Sequence, residues 1–222
     1  MSLKTSNLPF KARVDHEVHN TIMRKAVVKA QETIGANRQK MVDELGHWEE
    51  WRDLSKQIRN HVLANLDAYL YQLSEKVMEN GGKVYFAETA EEASAYIRKV
   101  ALEKNAKKIV KSKSMVTEEI GLNEVLEKEG MQVIETDLGE YLLQISGDKP
   151  SHIVVPAIHK DRHQIRKDLS EKLGYEGEET PEDMTRFVRE KIRQDFLEAD
   201  IGISGCNFAV GNRLSLFSDK RR

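Results

Sequence analysis

The sequence predicts an α/β fold: a mostly parallel sheet with helices on both faces, preceded by a long helical N-terminal arm. Three observations carry that reading. Residues 12 to 80 contain no proline and only two glycines, Gly35 and Gly46, and their apolar residues step by three and four. From Gly82 onward, short β-prone runs alternate with helical stretches. Threonine, serine or aspartate stands at several junctions where a helix begins.

Within the arm, Trp48, Trp51, Leu54, Ile58, Val62, Leu66, Tyr69, Leu73 and Val77 mark one face of a long helix, which Gly81-Gly82 closes. An earlier segment, Asp15 to Glu44, carries a weaker stripe of Val18, Ile22, Val27, Ile34 and Met41. The plain expectation is a helix pair that covers the core; packing on a partner is the alternative. Lys83 to Ala87 is the first expected strand. Thr89 opens the next helix, with Glu92 at capping-box spacing. Lys107 to Lys111 is the second strand, followed by a helical region from Ser114 to Glu129 and by Gly130. Met131 to Glu135 is the third strand, and Asp137 to Glu140 repeats the capping-box spacing ahead of Tyr141 to Ile145. Ile153 to Val155 is the fourth, closed by Pro156. Helices over Arg162 to Leu173 and Pro181 to Ala199 follow, the second with Thr180 as N-cap and Pro181 in the first helical position. Ile201 to Ser204 is the fifth strand. The expected division is an arm over 1–80, an α/β domain over 81–209 and a tail over 210–222.

Bulk properties narrow the class. Lys and Arg number 35 against 37 Asp and Glu, a net charge of -2, which lacks the basic excess of a protein that binds nucleic acid through phosphates. No apolar run approaches the ~20 residues that cross a bilayer. Met1-Ser2-Leu3-Lys4 lacks the apolar core of a signal peptide. A single cysteine, Cys206, excludes an intramolecular disulfide and suits a reducing compartment, so a cytoplasmic location is expected.

Ligands of parallel sheets sit beyond the carboxyl ends of the strands, which selects four loops. The loop after the second strand carries Lys111, Ser112, Lys113, Ser114, Thr117 and Glu118. Its hydroxyls, ammonium groups and helix start suit a phosphate or carboxylate; the alternative is ordinary capping by Ser114 with lysines in solvent. The loop with Thr136, Asp137 and Glu140 concentrates acids that can share protons or face a cation, although Asp137 and Glu140 are also accounted for by a capping box. His159 lies just past the fourth strand and is expected as a polar contact. With His163 it could flank a metal only if a third ligand joined them, and no metal site is expected. Cys206, in the last loop, is expected to be a small buried thiol.

Several blocks taken together resemble one family. They are Trp48-Glu-Glu-Trp-Arg52, Gly82-Lys-Val-Tyr-Phe-Ala87, Ile109 to Ile120, Glu135 to Glu140, Pro150 to Ala157, and Phe196 to Ala209. In order and density they are similar to the lactate-utilisation (LUD) domain of the iron–sulfur B subunit of bacterial L-lactate oxidation complexes. The resemblance implies a NagB/RpiA/CoA-transferase-like domain, followed in the family by a region whose cysteines hold [4Fe–4S] clusters. It also implies partner subunits through which electrons pass as L-lactate becomes pyruvate. It supplies no established catalytic residue. After Ala209 the chain departs from the family pattern and is expected to be truncated. One cysteine cannot ligate a four-thiolate cluster, so no cofactor is expected in this chain. Dimerisation, or Leu214-Ser-Leu-Phe217 acting as a substitute strand, would cover the sheet edge left open. The competing readings are a small-molecule enzyme of the sugar-phosphate isomerase or CoA-transferase kind, taking an anion at the Ser112–Glu118 loop, and a folded remnant without function.

Overall fold

The structure, a computed structural model, describes residues 9–152 and 155–210 and the backbone of 215–217. The described residues divide into two compact units: one of residues up to Ala30 together with Ala87–Gly205, the other of Gln31–Phe86 and residues from Cys206 on.

The arm is a run of four helices: α1 (Phe10–His19), α2 (Thr21–Leu45), α3 (Trp48–Ala64) and α4 (Leu66–Glu79). The expected single helix over 48–80 is therefore two, broken at Asn65, where φ is -129° and ψ 33°. The Asn65 side chain donates from Nδ2 to the His61 carbonyl at 2.8 Å, the local bonding by which asparagine competes with helical backbone. Asn20 interrupts the first segment in the same way, its Oδ1 accepting from the Met23 N–H at 3.0 Å. None of the four helices contains a buried residue, and Trp51, Leu54 and Ile58 remain exposed. The α/β elements of the first unit lie within Ala87–Gly205.

That unit runs α5 (Ala90–Glu103), β1 (Lys108–Lys111), α6 (Met115–Glu119), α7 (Leu122–Glu127), β2 (Gln132–Glu135), α8 (Leu138–Ser146), α9 (Arg162–Leu173), α10 (Pro181–Glu198) and β3 (Ile201–Ile203). The strands form a three-stranded, wholly parallel sheet in the order β2-β1-β3. Side chains alternate across it. Ile109 and Val133 face one side with Ala101 of α5 and Leu122 and Leu126 of α7. Val110 and Ile134 face the other, with Tyr141 and Leu142 of α8, Leu169 of α9, and Met184, Val188 and Ile192 of α10. Ile109, Leu122, Leu126 and Leu169 are wholly buried, each worth about 1.5–3 kcal/mol of apolar transfer.

The helix starts follow the sequence closely. Thr89 accepts from the Glu92 N–H at 3.2 Å and Thr180 from the Asp183 N–H at 3.2 Å. Gly121 (φ 63°) splits the region after β1 into α6 and α7. Two strand expectations change. Lys83–Ala87 belongs to neither sheet, and Val84, Tyr85 and Phe86 are exposed. β-prone composition describes a fit to a half-buried pleated surface, and no such surface receives this run. Most of Ile153–Val155 lies outside the described residues. The Leu214–Phe217 segment contributes β5 (Ser215–Phe217), which pairs antiparallel with β4 (Phe208–Val210) in a separate two-stranded sheet instead of extending the parallel one.

Among the described residues β2 is an edge strand, and a side chain stands where the next strand would be. Gln144 accepts from the Glu135 N–H at 3.1 Å and donates to the Val133 carbonyl at 2.8 Å, closing two ladder positions. Replacing Gln144 with Ala is expected to lower stability by about 1–3 kcal/mol, the cost of two backbone groups left without partners, as measured by urea denaturation.

Candidate functional site

Lys111 is the last residue of the central strand, at the carboxyl end where the strand order reverses. Parallel register places Glu135, the last residue of β2, beside it on the same face. The Lys111 ammonium reaches Glu135 Oε1 at 2.7 Å and Glu118 Oε1 of α6 at 2.6 Å. Asn123 of α7 donates to the same Glu135 oxygen at 2.7 Å. Lys111 is 0% exposed and Glu135 4%. Burial alone would lower the Lys111 pKa, but the charges and hydrogen bonds of Glu135 and Glu118 outweigh it and hold the ammonium above its ordinary value. Lys111 is thus engaged by two carboxylates of its own chain, which is where the structure puts the first of the expected anion ligands.

The neighbouring loop residues are largely bound into local structure. The Ser112 N–H donates to the Ile203 carbonyl at 2.7 Å, tying the loop to β3. Ser114 caps α6, accepting from the Thr117 N–H at 3.3 Å, while the Thr117 hydroxyl donates back to the Ser114 carbonyl at 2.8 Å. Thr136 donates to the Lys111 carbonyl from its N–H at 2.9 Å and from its hydroxyl at 3.0 Å. Gly205 lies against this loop so closely that a Cβ there would sit 2.9 Å from the Lys113 carbonyl oxygen.

Asp137 caps α8, accepting from the Glu140 N–H at 3.3 Å, but the expected reciprocal half of the capping box is missing. The Glu140 side chain is instead buried, 7% exposed, and neither carboxyl oxygen has a protein hydrogen-bond partner among the described residues. The second oxygen of Glu135, Oε2, is in the same position. Burial, then the negative charges of Glu135, Asp137 and Glu118, raise the Glu140 pKa to about 7, with Lys113 opposing. The site therefore gathers Lys111, Lys113, Glu118, Asp137 and Glu140 from the expected set and adds Glu135 and Asn123. Asn123 carries no local signal; it is placed by α7 packing on the sheet.

His159 belongs to a different group. Its Nδ1 contacts the Ser151 hydroxyl, and burial followed by the Lys160 charge lowers its pKa. Lys160 in turn pairs with Asp148 and Asp168, each at 2.5 Å. His163 lies on the helix surface with Glu179 at 3.1 Å. Cys206 is exposed, its thiol donating to the Phe208 carbonyl at 3.1 Å, which corrects the expected buried thiol. β3 ends at Ile203, so the chain has already left the core when it reaches the cysteine.

The sequence profile of the LUD domain matches residues 70–213, which include every residue of both groups. The chain belongs to the LUD domain family. It is 71% identical over 210 residues to the "Uncharacterized electron transport protein YkgF" of Escherichia coli, covering 95% of this chain and 44% of that protein. It is 57% identical over 216 residues to "Lactate utilization protein B" of Bacillus cytotoxicus, and 56% identical to that of Bacillus cereus, in each case over 97% of this chain and 46% of the relative. The LUD chain thus spans less than half the length of these relatives. No solved structure matches it. Among the described residues, no helix is long and apolar enough to cross a membrane.

Two outcomes are expected. Lys111→Met leaves Glu118 and Glu135 facing each other without their cation and should cost about 3–5 kcal/mol in chemical denaturation. Glu140 holds its proton in the folded state up to about 7, whereas an unfolded glutamate loses it near ~4.3. Stability should therefore fall as pH rises through that window, and Glu140→Gln should relieve the loss. The variant is expected to melt above wild type at about pH 8 and level with it below about pH 4.

Proposed function

We propose that this chain is the LUD part of an electron-transfer assembly that oxidises L-lactate to pyruvate, and that its strand-end site receives a small carboxylate. The likeness of nearly this whole chain to part of relatives named for lactate utilization and electron transport supports the reading. In that assembly the [4Fe–4S] clusters are held outside residues 1–222, because a cluster takes four thiolates and these residues supply one cysteine. The partners are the other subunits of the complex, with a second copy of the chain as a further candidate; neither a nucleic acid nor a membrane span enters the reading, and the location is cytoplasmic.

The charge at the strand ends bears on ligand class. Lys111 and Lys113 meet Glu118, Glu135, Asp137 and Glu140, so the loops from Ser112 to Thr117 and from Thr136 to Glu140 offer a doubly charged phosphate ester little net attraction. A 2-hydroxy or 2-oxo monocarboxylate is the better match, which favours the lactate reading over a sugar-phosphate or CoA-transferase chemistry. His159 would contribute only from its own group.

Two experiments check this. Grafting residues 1–209 in place of the matching part of Bacillus cereus lactate utilization protein B should preserve growth on L-lactate as sole carbon source; loss of growth with normal protein levels counts against the assembly role. Pyruvate or L-lactate at about a hundred times its Kd should stabilise the chain by about 2.7 kcal/mol in thermal shift, and sugar phosphates should not.

A further inference from the structure

Acid outnumbers base at the strand ends, and the acids are not equivalent. Glu118 and Glu135 have the Lys111 ammonium, Glu135 has Asn123 as well, and Asp137 has the Glu140 backbone N–H. Among the described residues, Glu140 has no protein donor for either oxygen although it is more than nine-tenths buried, and Glu135 Oε2 is buried and equally without a donor. A carboxylate in that position bears its desolvation uncompensated. Taking up a proton removes the charge and turns one of its oxygens into a donor, beside carboxylates that only accept.

We infer that Glu140 is the proton-carrying residue of this site: a neutral carboxylic acid that donates its hydrogen bond to an oxygen of a bound small carboxylate. The inference rests on the ligand proposed above and answers what that reading leaves open, how a carboxylate enters a site rich in carboxylates. Binding is then coupled to protonation. Ionised Glu140, one proton from solvent and the free anion give neutral Glu140 with the anion bound, and no bond to carbon forms or breaks. The groups facing Glu140 are Glu135 from β2, Asp137 at the head of α8, Glu118 from α6 and, opposing them, Lys113 from the loop after β1. Lys111 offsets Glu118 and Glu135 directly. Burial and these charges put the group at about 7, where ligand binding shifts its proton occupancy most readily near neutrality.

Calorimetric titration of the full chain with pyruvate, in buffers of different ionisation heat, counts the protons taken up. Uptake approaching one proton is expected at about pH 8 for wild type and none for Glu140→Gln, which supplies a donor without a titration. Pyruvate affinity should fall by about tenfold per pH unit above neutrality in wild type and stay level in the variant. Carbon-13 NMR of glutamate-labelled protein without ligand reads the carboxyl directly, since the resonance that Glu140→Gln removes should titrate near neutrality. Pyruvate binding without proton uptake, or a resonance titrating in the ordinary range of ~4.3, overturns the inference. If neither protein binds pyruvate, the proposed ligand fails, and the NMR midpoint alone decides for or against Glu140 as the proton carrier.

Discussion

The constraint on which the unit from Ala87 to Gly205 depends is the burial of one ammonium group. Lys111 ends the central strand with no exposure, and taking such a charge out of water costs several kcal/mol unless it is paired and hydrogen-bonded. Its pairing draws on three separate elements: β2 through Glu135, α6 through Glu118, and α7 through Asn123, which orients Glu135. Register follows from the same requirement. A slip of one residue would send Lys111 to the face where Val110 and Ile134 meet Tyr141, Leu142 and Leu169. Apolar alternation and charge pairing therefore select one alignment of β1 with β2.

Once Lys111 is satisfied by two carboxylates, the remaining acids acquire different roles. Asp137 is absorbed by the start of α8, and Glu140, three residues on, is turned away from the capping arrangement that its spacing suggests. It is thereby left buried among negative neighbours, with Lys113 the opposing charge. One geometric choice at the helix start thus separates a capping residue from a group poised to exchange a proton. The site lies where Ser112 bonds to Ile203 and where Gly205 closes on Lys113, so β3 and its following turn form its far wall.

Much of the fold was legible in local chemistry. Thr89, Ser114, Asp137 and Thr180 cap helices as their neighbours suggested, because an N-cap needs only a short polar side chain and a few residues of backbone. Three of the expected strands pair in parallel. The misreadings share a cause. Lys83–Ala87 has strand composition without a ladder, the arm has an apolar stripe without a buried contact, and Cys206 has an apolar setting in sequence yet an exposed thiol. Each depends on what lies across from the segment, which sequence spacing does not carry. The breaks at Asn20 and Asn65 were readable in principle, since asparagine bonds to nearby backbone, but at Asn65 the apolar period runs straight across the break.

The candidate site divides along the same line. The sequence by itself determined which residues stand at strand ends, and so brought Lys111, Glu118, Asp137 and Glu140 forward, because strand and helix boundaries are set by neighbouring residues. It also carried the family likeness. Only the tertiary structure decided that Lys111 and Glu135 are partners, that Asn123 reaches them, that His159 stands with Ser151 in another group, and that Glu140 lacks a donor. Those facts follow from sheet register and helix packing, where residues as far apart in the chain as Lys111 and Glu135 come within a hydrogen bond of one another. Burial and partnership are properties of that assembled surface, and they, more than residue type, set the charge each side chain carries.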